Sequence, residues 1–367
     1  MKKAIAFLLT GAMVLSMTAC GGSSAPADKA DSAAATESAA AEETTESAAA
    51  EAATEEAAAE IDGDPHEFKL STHLSAEHGV VQYAQKFADL LEEKSGGNMK
   101  IDIYTDGQLG GQTENCEALV AGSVDMTIID TGTLGSYDPR YGIFDMPYVF
   151  SSKEHAQKVV GGDIGTQLNE MVAGTTGIRP LTIQPILFRN CLLKGKEVHS
   201  PEDLKGVKVR VPDNPSIEAC FSALGATPVA MPSGEVYTAV QTGVTDGLEG
   251  NSEFIVQSKY YEVADTYSKT EHIFTCTCTC ISENVYQSLT DSQKALLNEC
   301  AQEAMDYFYE VYETIEADSD QAMKDAGVKF IEDVDKDAMK AACEPALKEF
   351  VEKNNLQDVM DQIDSLR

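Results

Sequence analysis

The sequence predicts an α/β protein of two similar lobes, on three observations. Strand and helix patterns alternate along residues 68–130, the same alternation returns along 207–248, and the chain is mostly helical after Ile281. Beyond an N-terminal low-complexity stretch, roughly 300 residues of ordinary globular composition remain, enough for two compact bodies.

Phe68-Lys69-Leu70-Ser71 begins as a short strand. Val80, Ala84, Phe87, Ala88 and Leu91 recur at helical spacing, and the helix is expected to end at Ser95-Gly96-Gly97, where glycine takes the left-handed cap. Met99, Ile101 and Ile103 alternate as a second strand. A loop from Thr105 to Gly111 leads to a helix ending at Ala121-Gly122, then to a strand from Asp125 to Asp130. That order belongs to a parallel α/β unit. In the second unit Val207, Val209 and Val211 alternate, and Pro215 suits the first turn of a helix ending at Leu224-Gly225. A strand from Thr227 to Ala230, a helix from Ser233 to Gln241 and a short strand from Val244 to Leu248 complete it. Between the units, Ser151-x-x-Glu154 and Ser200-Pro201-Glu202-Asp203 read as helix starts. Thr290-x-x-Gln293 resembles a capping box, and a long helix is expected from it toward Asp318. Two such lobes sharing a C-terminal helix place a ligand cleft between them, at the C-terminal ends of strands.

The N-terminus has a different character. Met1-Lys2-Lys3 precedes an apolar run from Ala4 to Met17, shorter than the ~20 residues that span a bilayer. Residues 1–19 therefore read as a secretory leader. The run closes on Met17-Thr18-Ala19-Cys20-Gly21, which resembles a bacterial lipobox with methionine where leucine is usual. Cys20 then becomes a lipidated N-terminus that holds the protein on the outer face of the cell membrane without crossing it. Residues 20–65 are almost only Ala, Glu, Ser, Thr and Asp, which cannot bury enough apolar surface to offset the entropy of ordering. They read as a disordered, self-repelling tether with a reach of ~150 Å.

Of the net charge of −34, −11 falls on the tether and +2 on the leader, leaving −25 for the globular part. That excludes nucleic acid as a partner, since phosphate recognition needs a basic face. Nine cysteines are present. Cys276, Cys278 and Cys280 alternate with threonine, which puts three thiols on one face of a strand as small buried apolar groups. Their spacing does not suit zinc, and no disulfide framework is visible. Neither a P-loop, a nucleophile elbow nor an H-E-x-x-H motif occurs, so no catalytic residue, cofactor or metal is expected.

Pro201-Glu-Asp-Leu-Lys-Gly-Val-Lys-Val-Arg210-Val-Pro212 resembles a segment of the DctP-type solute-binding proteins of TRAP transporters. So do Leu224-Gly-Ala-Thr-Pro-Val229, Glu235-Val-Tyr-Thr-Ala-Val-Gln-Thr-Gly243, Tyr104-x-x-Gly107-Gln-Leu-Gly-Gly111 and Asp145-Met-Pro147-Tyr-Val-Phe150. The resemblance covers about Phe68 to Phe330. It implies a periplasmic-binding-protein-like fold: two α/β lobes with mixed sheets flanked by helices, joined by crossing strands, with a long C-terminal helix spanning both. One lobe is expected from residues 66–188 with 277–316, the other from 189–276 with 317–367. The implied function is capture of a small organic acid for a permease of one small and one large membrane subunit. A C4-dicarboxylate, a sugar acid or a similar carboxylate all fit, and a co-receptor for a membrane sensor kinase is the alternative. A monomer is expected.

In that family two arginines hold the ligand carboxylate, and the matching positions are Arg189 and Arg210. The chain has only five arginines. Arg210 ends an apolar alternating strand, where a charge is costly unless paired, and the guanidinium fork suits a carboxylate. A structural ion pair is the other reading of each. Asp130 ends its strand where some relatives place an acid on ligand hydroxyls; capping a turn is its other reading. Asp213 and Asn214 follow Arg210 toward the cleft, with Asp213 alternatively orienting Arg210. Tyr237, His73 and Gln112 are further ligand contacts, while His78 reads as an exposed histidine. The family's usual Asp-Gly-Gln-Glu-Asn-Pro is here Asp246-Gly-Leu-Glu-Gly250-Asn251, so Gly250 and Asn251 share the position of a ligand-contacting asparagine. Ser233 replaces an aromatic residue. Both changes leave room for a larger or more hydroxylated acid.

Overall fold

A computed structural model describes residues 61–367. The leader, Cys20 and all of the tether before Ile61 lie outside the described residues. The first unit runs β1 (His66–Thr72), α1 (Gly79–Lys94), β2 (Met99–Tyr104), α2 (Gln112–Ala121) and β3 (Met126–Asp130). A one-turn helix α3 (Thr131–Gly135), a 3-10 helix at Pro139–Asp145, and the helices α4 (Lys153–Val160) and α5 (Asp163–Thr176) lead to a long strand β4 (Ile178–Leu193). The second unit is β5 (Lys208–Val211), α6 (Pro215–Ala223), β6 (Thr227–Ala230), α7 (Ser233–Thr242), β7 (Gly247–Gly250) and α8 (Ser252–Gln257). A second long strand β8 (Thr266–Ser282) precedes α9 (Glu283–Ser288), α10 (Asp291–Val311), α11 (Ile315–Asp325), β9 (Lys329–Ile331), α12 (Lys336–Lys353) and α13 (Gln357–Ser365).

Local chemistry explains most of these limits. Helix α1 buries Val80, Tyr83, Ala84, Phe87 and Leu91 along one stripe and stops at Ser95 before the two glycines. Gly122 caps α2 in the left-handed conformation at φ 75°. Pro215 opens α6 behind Asn214, whose side chain caps the first turn. The Thr290–Gln293 capping box opens α10. The start expected at Ser151 falls one residue later, with Ser152 capping α4.

The strands form one mixed sheet in the order β2-β1-β3-β8-β4-β7-β5-β6, with β9 on β8. β1, β2 and β3 are mutually parallel, as are β5, β6 and β7, as the two repeated units require. β4 and β8 run antiparallel between the two sets, from Ile178 opposite Ser282 to Leu193 opposite Thr266. At ~3.3 Å per residue, strands of 16 and 17 residues are long enough to serve both halves. Their register shifts near Pro180, between Pro185 and Phe188, and again beside Arg189. Proline is tolerated in a central strand only at such irregularities.

Four apolar clusters cover the two faces of each half. In the first lobe α1 and α10 pack one face. The other face takes Cys276, Cys278 and Cys280, packed against α4 and α5. The second lobe places α6 and α12 on one face, around Phe221 and Met339, and α7, α8 and α11 on the other. The molecule is thus a two-lobed α/β fold. Two details differ from expectation. The long helix breaks at Tyr312–Thr314 into α10, on the first lobe, and α11, whose Met323 sits in the second. The C-terminal residues do not stay wholly with the second lobe, because Val351, Leu356, Met360 and Ile363 bury against the first.

The break in the helix adjoins a polar contact between the lobes. Glu253 of α8, 3% exposed, accepts from the Gly79 amide at the start of α1 (2.8 Å) and from the Tyr312 hydroxyl (2.6 Å). Replacing the carboxylate leaves two buried donors unmet. Glu253→Ala is therefore expected to lower unfolding free energy by roughly 3 kcal/mol in urea titration, and an unchanged midpoint would show that water replaces these bonds freely.

Candidate functional site

The crossing strands bring charge into the interior. Arg189, 5% exposed, meets the carboxylate of Glu249 on neighbouring β7 in a two-pronged pair, Nε to Oε2 at 2.6 Å and Nη2 to Oε1 at 2.6 Å. His272 of β8 adds its Nε2 at 3.1 Å from Oε2, and its Nδ1 meets the Thr270 hydroxyl at 2.8 Å. Burial alone would raise the Glu249 pKa, but Arg189, with His272, outweighs it and holds the carboxyl at about 2. Burial likewise pulls Arg189 down, and Glu249 more than offsets it.

Arg210 has no such partner. Its side chain is 2% exposed, and Nε and Nη2 both donate to the Met231 carbonyl, at 3.1 and 2.6 Å. Among the described residues no carboxylate lies within 4.0 Å of it. Burial lowers its pKa to about 10, so it stays protonated at neutral pH. A full positive charge sits in the interior against a carbonyl dipole alone, beside an open cavity.

That cavity, of 280 Å³, lies between the lobes. Of the expected contacts, Arg189, Arg210, Asp130, Asp213, Asn251, His73 and Gln112 line it. Gln112, first residue of α2, fixes Asp130: its Oε1 accepts from the Asp130 amide (2.6 Å) and its Nε2 donates to Oδ2 (3.0 Å). Asp130 stands just before α3 but makes no side-chain cap, so its carboxylate is left to the cavity. Asn251 caps α8 through Oδ1, at 2.9 Å from the Phe254 amide. Ser233 lines the cavity too, where the bulkier residue is missing.

Among the described residues, two lining atoms are buried without any partner: His73 Nδ1 and Thr275 Oγ1. Orphaned polar groups of this kind are costly unless something external meets them. Burial lowers the His73 pKa to about 4, which keeps the ring neutral at pH 7. Behind the site, burial pushes Asp145 up to about 7, and the Thr131 hydroxyl donates to it at 2.5 Å.

Five expectations need correction. Asn214 does not line the cavity; its Oδ1 is used up capping α6, at 3.0 Å from Ser216 N and 3.4 Å from Ile217 N. Gly250 is held in β7 opposite Asn190, away from the lining. Tyr237 turns outward and donates to Glu262 at 2.9 Å. His78 is not exposed: at 2% exposure it lines the cavity, caps α1 and places Nε2 3.4 Å from Glu253. Asp213 is not within ion-pair reach of Arg210, so it does not orient it. Sequence reasoning missed Glu249, His272 and Thr275. Glu249 stood in plain view one place before Gly250, and its signal was an acid inside an apolar strand.

Comparison with known proteins decides the family. A family model described as bacterial extracellular solute-binding protein, family 7 (DctP) matches residues 70–354. The chain belongs to that family. It is 28% identical over 286 residues to the 2,3-diketo-L-gulonate-binding periplasmic protein YiaO of Escherichia coli, spanning 77% of this chain and 87% of that one. It is 30% identical over 283 residues to the sialic acid-binding periplasmic protein SiaP of Vibrio cholerae, spanning 77% and 88%. A TRAP periplasmic solute-binding protein of Roseobacter denitrificans with bound β-D-glucuronate superposes with a TM-score of 0.78 at 29% identity, over 81% of this chain and 99% of that one. The protein is therefore an extracytoplasmic TRAP solute-binding protein that takes a small organic acid to a TRAP permease, and not an enzyme.

The neutral ring of His73 sets a pH dependence. Its folded pKa of about 4 lies below the ordinary 6.5, so the stability it contributes is complete above pH 6.5 and is lost as pH falls through 4. Asp145 acts oppositely, since its raised pKa gives stability below pH 3.8 that is lost as pH rises through about 7. His73→Gln should flatten the fall in unfolding free energy between pH 6.5 and 4 by roughly 3 kcal/mol, read by denaturant titration at each pH. Parallel profiles for the two proteins would remove His73 as the titrating group.

Proposed function

We propose that this family member binds a monocarboxylate sugar acid of the hexuronate kind, with Arg210 and Arg189 on the carboxylate and Asp130, Gln112, His73, Asn251 and Asp213 near the hydroxyls. The observation that carries this reading is the buried Arg210, charged and without an anionic partner, facing the cavity. The remaining lining selects among acids. Asp130, Asp213 and Glu114 put negative charge along the cavity, and His73 is neutral at pH 7. A second carboxylate would meet repulsion there, whereas a hydroxyl can donate to a carboxylate or to His73 Nδ1 and accept from Thr275. C4-dicarboxylates are thus disfavoured relative to polyhydroxylated acids. The bound β-D-glucuronate of the Roseobacter protein supports the same class. The lobes would close on this ligand from both sides of the crossing strands.

The working form of the protein would be a monomer, lipidated at Cys20 after removal of residues 1–19. Residues 20–65 would hold it off the membrane beside the permease. Cys20→Ser is expected to release the protein into the medium and to abolish incorporation of labelled fatty acid; retention of label in that variant would place the anchor elsewhere.

Calorimetry tests the ligand site. D-glucuronate is expected to bind wild type, and Arg210→Ala should weaken it at least a hundredfold, since each charge-assisted bond contributes ~1.5–3 kcal/mol. Arg210→Lys should also lose affinity, because an ammonium cannot reproduce the fork. Succinate binding more tightly than D-glucuronate would overturn the sugar-acid reading, and unchanged affinity in Arg210→Ala would overturn the site.

A further inference from the structure

One contact between the lobes involves no ligand-lining side chain. Gly132 of α3, on the first lobe, lies against Asn214, the capping residue of α6 on the second. A β-carbon at 132 would stand 1.7 Å from Asn214 Nδ2, 2.5 Å from Cγ and 2.9 Å from Oδ1. The backbone at 132 is not left-handed, so an alanine there meets no conformational strain, only this side chain. Nor can Asn214 easily swing aside, because Oδ1 is held by the amides of Ser216 and Ile217. Two residues on, the Ser216 hydroxyl donates to the Gly142 carbonyl at 3.2 Å, extending the same seam.

The position of this seam gives it a role. Gly132 is two residues beyond Asp130, and Asn214 directly follows Asp213, four beyond Arg210. Asp130 lines the cavity from the first lobe, and Asp213 and Arg210 line it from the second. The closest approach of α3 to α6 therefore fixes the width of the cavity between them. We propose that the bare backbone of Gly132 against Asn214 is the stop at which the lobes come to rest, and that it positions Arg210 and Asp130 on one ligand. Gly132 and Asn214 act through those groups and touch no ligand themselves.

The consequence is a defect in closure that can be relieved from the other side. Gly132→Ala is expected to weaken D-glucuronate at least tenfold in calorimetry. Asn214→Gly removes the obstructing side chain while glycine still serves as a helix cap. Alone it takes the stop away and should itself weaken D-glucuronate, whereas in the Gly132→Ala background the added methyl fills the vacated space and affinity should return to within threefold of wild type. Hydrogen exchange on the ligand-free proteins reads the same contact without a ligand. Peptides covering residues 131–135 and 214–217 should exchange faster in Gly132→Ala than in wild type, and the double variant should recover. Gly132→Ala that matches wild type in exchange, or a loss that Asn214→Gly does not relieve, overturns the proposal. Wild type that ignores D-glucuronate defeats the sugar-acid reading instead, and the exchange comparison still decides the seam.

Discussion

A guanidinium removed from water must find negative charge, and the centre of this protein is arranged around that constraint. Two arginines are buried within the same interlobe region, but their circumstances differ. Arg189 is neutralised internally by Glu249, with His272 sharing the Oε2 oxygen that Arg189 Nε also holds. Among the described residues Arg210 has only a carbonyl. The first arrangement makes a rigid floor; the second leaves an unmet electrostatic demand facing open space. The crossing strands deliver the first, since Arg189 and His272 come from β4 and β8 and Glu249 from neighbouring β7, while Arg210 comes from β5 on the other side of β7.

The strong overall negative charge does not contradict anion capture. Exposed charges are screened over ~8 Å at physiological salt, whereas a guanidinium in a low-dielectric recess keeps its field. Net charge governs solubility and long-range encounters, and the few buried groups govern the site.

The repeated α/β units were legible because their strands alternate and their helices are punctuated by glycine. Arg210 was legible for a similar reason: a charge at the end of Val207-x-Val209 breaks an apolar pattern. Where reading by pattern stopped, tertiary contacts had taken over. β4 and β8 are buried on both faces, so their lengths leave no periodic trace, and β7 falls three residues later than its apolar start because Glu249 is a strand residue held by Arg189. The helix break at Tyr312 has no glycine or proline to announce it; the Tyr312 hydroxyl bond to Glu253 and the Lys153 bond to its carbonyl lie 59 and 159 residues away in sequence. His78 looked exposed because its partner on the opposite lobe is equally remote. Asn214 and Tyr237 sit beside the right motifs, but each side chain is spent locally, one on a cap and one on a surface glutamate.

The row of thiols on β8 has a consequence for life outside the cytoplasm. All eight cysteines of the described residues are unpaired and buried. Burial pushes Cys116 and Cys191 up to about 12 and Cys300 up to about 11, so these three are hardly ionised at neutral pH. Oxidants and disulfide-exchange catalysts attack the thiolate, and they need access to it. Burial denies access to all eight, and the raised pKa denies the thiolate at Cys116, Cys191 and Cys300. Burial, rather than covalent bracing, is what shields these eight thiols.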